Sequence, residues 1–382
     1  MGLKNRFNSF NKIVLLSLLI CISITGFSQQ GPHSIWMFGQ NSGLNFNSGI
    51  PVYQPGNAMN NIEGVASICD NSGNLLFYTN SINVWNRNHV LMPNGFGLAG
   101  DASISQLLIE KQPGNSNIYY ILYAGIEGST SPYCYSIVDM SLSGGLGNVT
   151  VKNFVIQPNI QYCEKITSVY HNNGVDKWIL TKQHGNAVWM AFLLNSSGLL
   201  SWSATLTSYT LSTVFGTKIG CVKANPQGTK VAATYYGSNR LSILDFNNQT
   251  GFFSNEISIA MPTGPYGLEF SPSGRFLYVS FNNGSFIYQY DMCAPNIASS
   301  RITIATNAGL FTGSFQRGPD GRIYIAQNNS LFLHRINNPD TQGISCNLQF
   351  NAVPLINGSR FGLPQFCYPP GLNVSVSPIY HN

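Results

Sequence analysis

Charge is what this sequence has least of. Asp, Glu, Lys and Arg together make up 9% of its 382 residues, which excludes the compositions of disordered chains and of nucleic-acid-binding proteins. Lys, Glu and Arg are also the residues of exposed helices, so their scarcity argues against a helical fold. The apolar run from Ile13 to Ile24 is too short to cross a membrane as a helix. No Cys-x-x-Cys pair occurs, which argues against a zinc ribbon or a dithiol redox motif. Gly-x-Ser-x-Gly, a phosphate-cradling Gly-Lys-Ser/Thr loop, a dinucleotide fingerprint and alternating-Asp calcium loops are missing as well. No cofactor is therefore expected.

What is present is glycine, 38 residues of it, with abundant asparagine and serine and 12% aromatic residues. That balance favours an all-β fold rich in turns. At the N-terminus Lys4, Arg6 and Lys12 precede the apolar run, and the small residues Gly26 and Ser28 follow it, the pattern of a secretory signal cleaved after residue 28. Cys21 within Leu18-Leu19-Ile20-Cys21 raises a lipoprotein signal as the competing reading, against which stands bulky Ile20 where a small residue belongs. Loss of residues 1–28 removes three cations and lowers the formal net charge from +5 to +2, so the basic balance implies no anionic partner. The expected location is outside the cytoplasm: periplasm, cell surface or medium.

The chain is organised by a repeat. Ser271-Pro272-Ser273-Gly274 has the residues of a tight turn, and the strand behind it, Arg275 to Ser280, carries bulky side chains on both faces: Phe276 and Tyr278 on one, Leu277 and Val279 on the other. The same turn recurs as Asn225-Pro226-Gln227-Gly228 and Gly318-Pro319-Asp320-Gly321, with glycines 46 and 47 residues apart. Seventeen residues beyond the first two of these glycines lie Asp245 and Asp291, whereas the third copy has Asn337-Asn338 there. Weaker copies centre on Gly73, Gly114 and Gly174. A period in the forties with about four strands per unit is the signature of a β-propeller. Six turn-bearing blades are counted, and the strands around Trp36 and Phe46 together with Leu348 to Phe366 remain. The expectation is seven blades, with these N- and C-terminal strands sharing the last and closing the ring; six blades with flanking strands is the alternative. The propeller then spans 29–368 and a tail 369–382, too short for another domain.

The order of several motifs resembles a known family. These are Trp36-x-Phe38-Gly39 with Gly43-Leu44-x-Phe46, Glu63-Gly64-x-Ala66-Ser67-Ile68, Gly73-Asn74-Leu75-Leu76-Phe77-Tyr78-Thr79, Val84-Trp85-Asn86-Arg87-Asn88-His89, Glu164-Lys165-Ile166-Thr167, Tyr266-Gly267-Leu268-Glu269-Phe270-Ser271-Pro272 and Gly362-Leu363-Pro364-Gln365-Phe366. Together they resemble the N-terminal propeller region of secreted surface proteins of bacteria with type IX secretion, and more loosely the YVTN and lactonase-like propellers. The resemblance implies a propeller that works outside the cell. Members of that group continue into adhesive modules and a sorting domain, which do not follow in this sequence.

Chemistry is thinner than architecture. Glu63, Gln106 and Glu164 each lie on or just before the first strand of a blade, the position that lines a propeller's channel, and are the candidate ligand-binding residues. Lys165, His171, Asp176, His184 and Arg317 are further polar candidates, but His171 and His184 lack a third ligand at a recognised spacing, so no metal site is expected. Trp85, Trp178, Trp189 and Trp202 could stack on sugars or pack between blades. Cys346 and Cys367 are placed to form a disulfide clasp, while cysteines beside apolar strands, such as Cys69 and Cys221, read as small buried side chains. The function expected is a non-enzymatic binding module for protein or glycan. A lactonase- or dehydrogenase-like enzyme using the channel is the alternative, and a rigid spacer a third reading.

Overall fold

The computed structural model describes residues 31–124, 133–210, 216–284, 286–306 and 311–369; the expected signal segment 1–28 and nearly all of the expected tail 369–382 lie outside them. Six four-stranded antiparallel sheets follow one another along the chain at 66–96, 107–155, 167–206, 222–260, 265–306 and 312–359. These are blades one to six, and in each the first strand of the sequence lies at one edge of the sheet, with the others following in order or simple reversal of it. A three-stranded sheet of Ile35–Phe38, Ser42–Asn45 and Val52–Tyr53 belongs to the seventh blade. The molecule is a seven-bladed β-propeller.

The two-faced strands explain the ring. Phe276 and Tyr278 enter the apolar cluster shared by blades five and six, whereas Leu277 and Val279 enter the one shared by blades four and five. Equivalent clusters lie between blades one and two, two and three, and three and four. A sheet that is apolar on both faces has no solvated side, so each blade must be sandwiched and the row of blades must close on itself. The turns predicted from sequence are present at Gly73, Gly114, Gly174, Gly228, Gly274 and Gly321, where φ runs from 66° to 79°. An L side chain is strained there, which is why glycine recurs. The spacing of seventeen residues also has a cause: Asp245 pairs with Lys230 at 2.6 Å and Asp291 with Arg275 at 2.9 Å across the hairpin. In blade six the partner is local instead, Asp320 meeting Arg322 at 2.9 Å.

The closure differs from expectation in one respect. Leu348–Ser359 is the outer strand of blade six and belongs to no shared sheet. Only 361–368 continues into the seventh blade, where it takes the inner position without forming a ladder, since Pro364 has no N–H to donate. Phe361 donates from its N to Ile62 O at 2.9 Å and accepts from Ser314 N at 2.7 Å, so this segment bridges blade one and blade six. Leu363 and Phe366 pack with Trp36, whose ring lies 4.7 Å from Phe46 and 5.5 Å from Tyr324. The N-terminal turn is tied to the end of blade six by Ser42 Oγ donating to Asn357 O at 2.6 Å and Gln40 N to Gly358 O at 2.8 Å.

The proposed Cys346–Cys367 clasp is not formed. Cys69, Cys134, Cys163, Cys221, Cys293, Cys346 and Cys367 are all free thiols. Cys346 packs in the cluster of blades five and six, while Cys367 lies in the closing segment, so nearness to one terminus in sequence did not bring them together.

Two substitutions separate the turn from the closure. A Cβ at position 362 would overlap the Glu63 carbonyl oxygen and backbone, so Gly362→Ala is expected to lower unfolding free energy by about 3 kcal/mol or more. Gly274→Ala, strained chiefly by its positive φ, is expected to cost about 1–2 kcal/mol. Urea unfolding of the two variants checks the order.

Candidate functional site

The first strands of the blades converge on the central axis, and their side chains fill it at three levels. At the leading end, where these strands begin, Glu63 is half-buried and accepts a 3.0 Å hydrogen bond from Tyr266 Oη. Burial pushes its carboxyl up to about 8, and the nearby Glu164 and Asp101 add to the rise. Glu164 is buried and its Oε2 accepts from Ser105 Oγ at 3.0 Å. Lys165 does not act as a free base here: its Nζ donates to Ile219 O at 3.1 Å and Thr234 O at 2.9 Å and sits 4.2 Å above the Tyr235 ring. His184 Nε2 lies 3.0 Å from Thr217 Oγ1. Burial, with Lys218 and Lys165 nearby, pushes the His184 imidazole down to about 4.

At the middle level the axis is crossed by amides. Gln106, from blade two, accepts on Oε1 from Val222 N at 2.8 Å and Ile166 N at 3.3 Å, and its Nε2 donates to Val222 O at 3.3 Å. It therefore joins blades two, three and four. Gln365, on the closing segment, donates to Ile166 O at 3.0 Å across the ring. Lys223 of blade four meets Gln316 Oε1 of blade six at 2.6 Å and Glu269 of blade five at 3.1 Å, and Glu269 also accepts from Arg317 N at 3.2 Å. These side chains are buried. Each of these side chains finds at least one partner, which makes polar groups tolerable at this depth, although Gln365 Oε1 is buried without one among the described residues.

At the trailing end lies a cavity of about 390 Å³, beside a hollow of about 30 Å³ that has room for about one water. The cavity is bounded by Ile68, Cys69, Ile109, Tyr119, Tyr170 and the closing residues Phe366, Cys367 and Tyr368, with His33 at its side. Glu110 forms a salt bridge with Lys177 and also accepts from Ser168 Oγ. Lys177 Nζ is 5.0 Å from the Tyr170 ring centroid.

The sequence candidates thus separate. Glu63 and Glu164 share the leading end, and Gln106 stands deeper as a bridge between blades. His171 and His184 are at opposite ends of blade three, since the ladder pairs Tyr170 with Lys177 and Thr167 with Leu180. His171 Nε2 meets Gln249 O at 3.1 Å, and Asp176 bonds Asn173 at 2.8 Å. Arg317 stacks 4.4 Å over Tyr368. Trp85, Trp178 and Trp189 are buried between blades, whereas Trp202 is exposed. Sequence reasoning missed Gln365, Lys223 and Glu269 as axial residues, and the whole trailing cavity. Gln365 carried a signal: Gly362-Leu363-Pro364-Gln365-Phe366 follows Gly267-Leu268-Glu269-Phe270 with one residue added. The cavity carried none, because its residues come from blades one, two, three and six and from both the N-terminal and the C-terminal sides of the chain.

Two effects are measurable. Gln106→Leu leaves the Val222 and Ile166 N–H groups buried and unpaired, at about 1–3 kcal/mol each, so a lower urea midpoint is expected. Glu63 has a folded-state pKa of about 8 against 4.5 for the free group, so the folded state holds its proton more tightly. Its contribution is fully present at low pH and is lost as pH rises from about 4.5 through about 8. Glu63→Gln is expected to flatten the fall of melting temperature with pH across that window.

No family model matches the chain, and no curated protein matches it. Among solved structures, a putative 6-phosphogluconolactonase from Bacteroides fragilis superposes with a TM-score of 0.54 at 14% identity, over 89% of this chain and 98% of that one. A protein from Lactobacillus plantarum gives 0.54 at 14% identity, over 87% of this chain and 99% of that one. At such identity the likeness is one of fold: both support the propeller architecture.

Proposed function

We propose that the protein is an exported, non-enzymatic propeller that binds a protein or glycan in the cell envelope or outside the cell. The observation that carries this reading is the use made of the axial polar side chains. Gln106, Gln365, Lys223, Glu269 and Gln316 are spent on bonds between blades, which makes the axis a brace. A braced ring is a rigid support for loops and channel mouths, where binding residues are placed on this kind of scaffold. Export rests on the charge and apolar pattern of residues 1–28, and a surface location on the family resemblance.

A second reading has one observation in its favour. Glu63, protonated up to about pH 8 and bonded to Tyr266, is an acid at a channel mouth, which a lactonase-like enzyme would use. Turnover of lactones, esters and redox dyes, with and without divalent metals, separates the two. The binding reading expects no turnover above a heat-denatured control, together with specific retention of a partner by the mature chain from envelope fractions or culture medium. Turnover that is lost in Glu63→Gln or Glu164→Gln, at unchanged melting temperature, overturns it.

A further inference from the structure

The trailing cavity has three properties that together define a ligand. Its volume of about 390 Å³ falls in the range of small-molecule sites. Its fixed charge is largely cancelled: Lys177 is paired with Glu110, and the remaining lining lysine, Lys111, stands at the half-exposed rim. Burial, with Lys177 and Arg317 nearby, pushes the His33 imidazole down to about 3, so that ring is neutral too. An ionised guest would lose its hydration here and meet no unpaired opposite charge at depth.

The second property is an aromatic corner, in which the His33 ring is tilted 39° from Phe366 and 74° from Tyr368. The His33 ring lies 4.6 Å from Phe366 and 4.9 Å from Tyr368, and Pro32, Pro319 and Pro369 extend that surface. The third is a set of polar groups left without partners. Tyr119 is 4% exposed, yet its hydroxyl has no hydrogen-bond partner among the described residues. The same holds for the hydroxyl of half-buried Tyr170 and the ring nitrogens of half-buried His33, and exposed Asn71 sets its carboxamide at the rim. An apolar guest would displace water from these groups and give them no partner in return, which is costly. A ring with an apolar C–H face and hydroxyls around its edge satisfies both the corner and the donors.

We infer that this cavity binds one uncharged sugar ring of hexose size, standing free or at the end of a glycan. The C–H face of the sugar packs into the corner made by His33, Phe366 and Tyr368, and its hydroxyls reach Tyr119, Tyr170, His33 and Asn71. Cys69 and Cys367 line the same space, and burial pushes both thiols up to about 12, so they are neutral lining groups that report its occupancy. The site lies at the opposite end of the axis from Glu63, so its failure leaves the reading of that mouth untouched.

The test is calorimetric titration of the purified full chain with glucose, galactose, mannose and N-acetylglucosamine, set beside glucose 6-phosphate, glucuronate and p-cresol. At least one neutral sugar is expected to bind with a Kd of about 1 mM or tighter. Tyr119→Phe and His33→Phe, which keep the rings and remove the polar atoms, are each expected to weaken it about tenfold. The same sugar should slow N-ethylmaleimide labelling of Cys69 and Cys367, read peptide by peptide, and leave exposed Cys293 unaffected. Absence of binding by every neutral sugar overturns the inference. So does tighter binding of an anionic probe or of p-cresol, or sugar binding that neither protects the two thiols nor responds to either substitution. Thiol protection in the unmodified chain keeps the test decisive if a variant fails to fold.

Discussion

Each blade of this propeller has two apolar faces, and nearly everything else follows from the need to cover both. In blade five, Phe276 and Tyr278 turn one way and Leu277 and Val279 the other, and all four are almost fully buried. Burying a side chain of that size stabilises by about 1.5–3 kcal/mol, and half of the gain would be lost if either neighbouring blade were missing. A linear row would leave two such faces bare. The ring removes them, at the cost of joining parts of the chain more than 300 residues apart, as where Ser42 meets Asn357.

The join is made by unlike pieces. Three strands come from the N-terminal side, and the inner position is filled by 361–368, which is held by packing and a few specific bonds instead of a ladder. Trp36, Phe46, Tyr324 and Phe366 supply the apolar contact, and the bare Cα of Gly362 allows its backbone to lie against that of Glu63. The same segment carries Gln365 to the axis and Phe366, Cys367 and Tyr368 to the trailing cavity. Closing the ring therefore also completes both the brace and the pocket.

The scarcity of charge seen in the sequence has a structural counterpart. Inner strands from six blades and the closing segment of the seventh crowd their polar side chains into one axis, where an unpaired ion would be costly. Lys223 and Glu269 meet there, Glu110 and Lys177 meet at the trailing end, and amides do much of the remaining bridging. Glu63 departs from this pattern: half-buried, and near Glu164 and Asp101 rather than a cation, it keeps its proton instead. The two ends of the axis thus differ in kind, one holding Glu63 and Glu164 beside Lys165, the other aromatic and hollow.

The sequence by itself determined the all-β class, the repeat and the turn glycines and favoured seven blades over six, because these depend on local rules: positive φ at the turn, alternation along a strand, and a fixed length per hairpin pair. It also located Glu63, Gln106 and Glu164 near the axis, since position within a repeat predicts position in a blade. Only the tertiary structure decided which segment closes the ring, placing Leu348–Ser359 in blade six and 361–368 in blade seven. It alone separated Cys346 from Cys367, turned Gln106 into a bridge, and assembled the cavity from His33, Tyr119, Tyr170 and Phe366. Those outcomes depend on which side chains from distant blades meet across the axis, and no spacing along one strand records that.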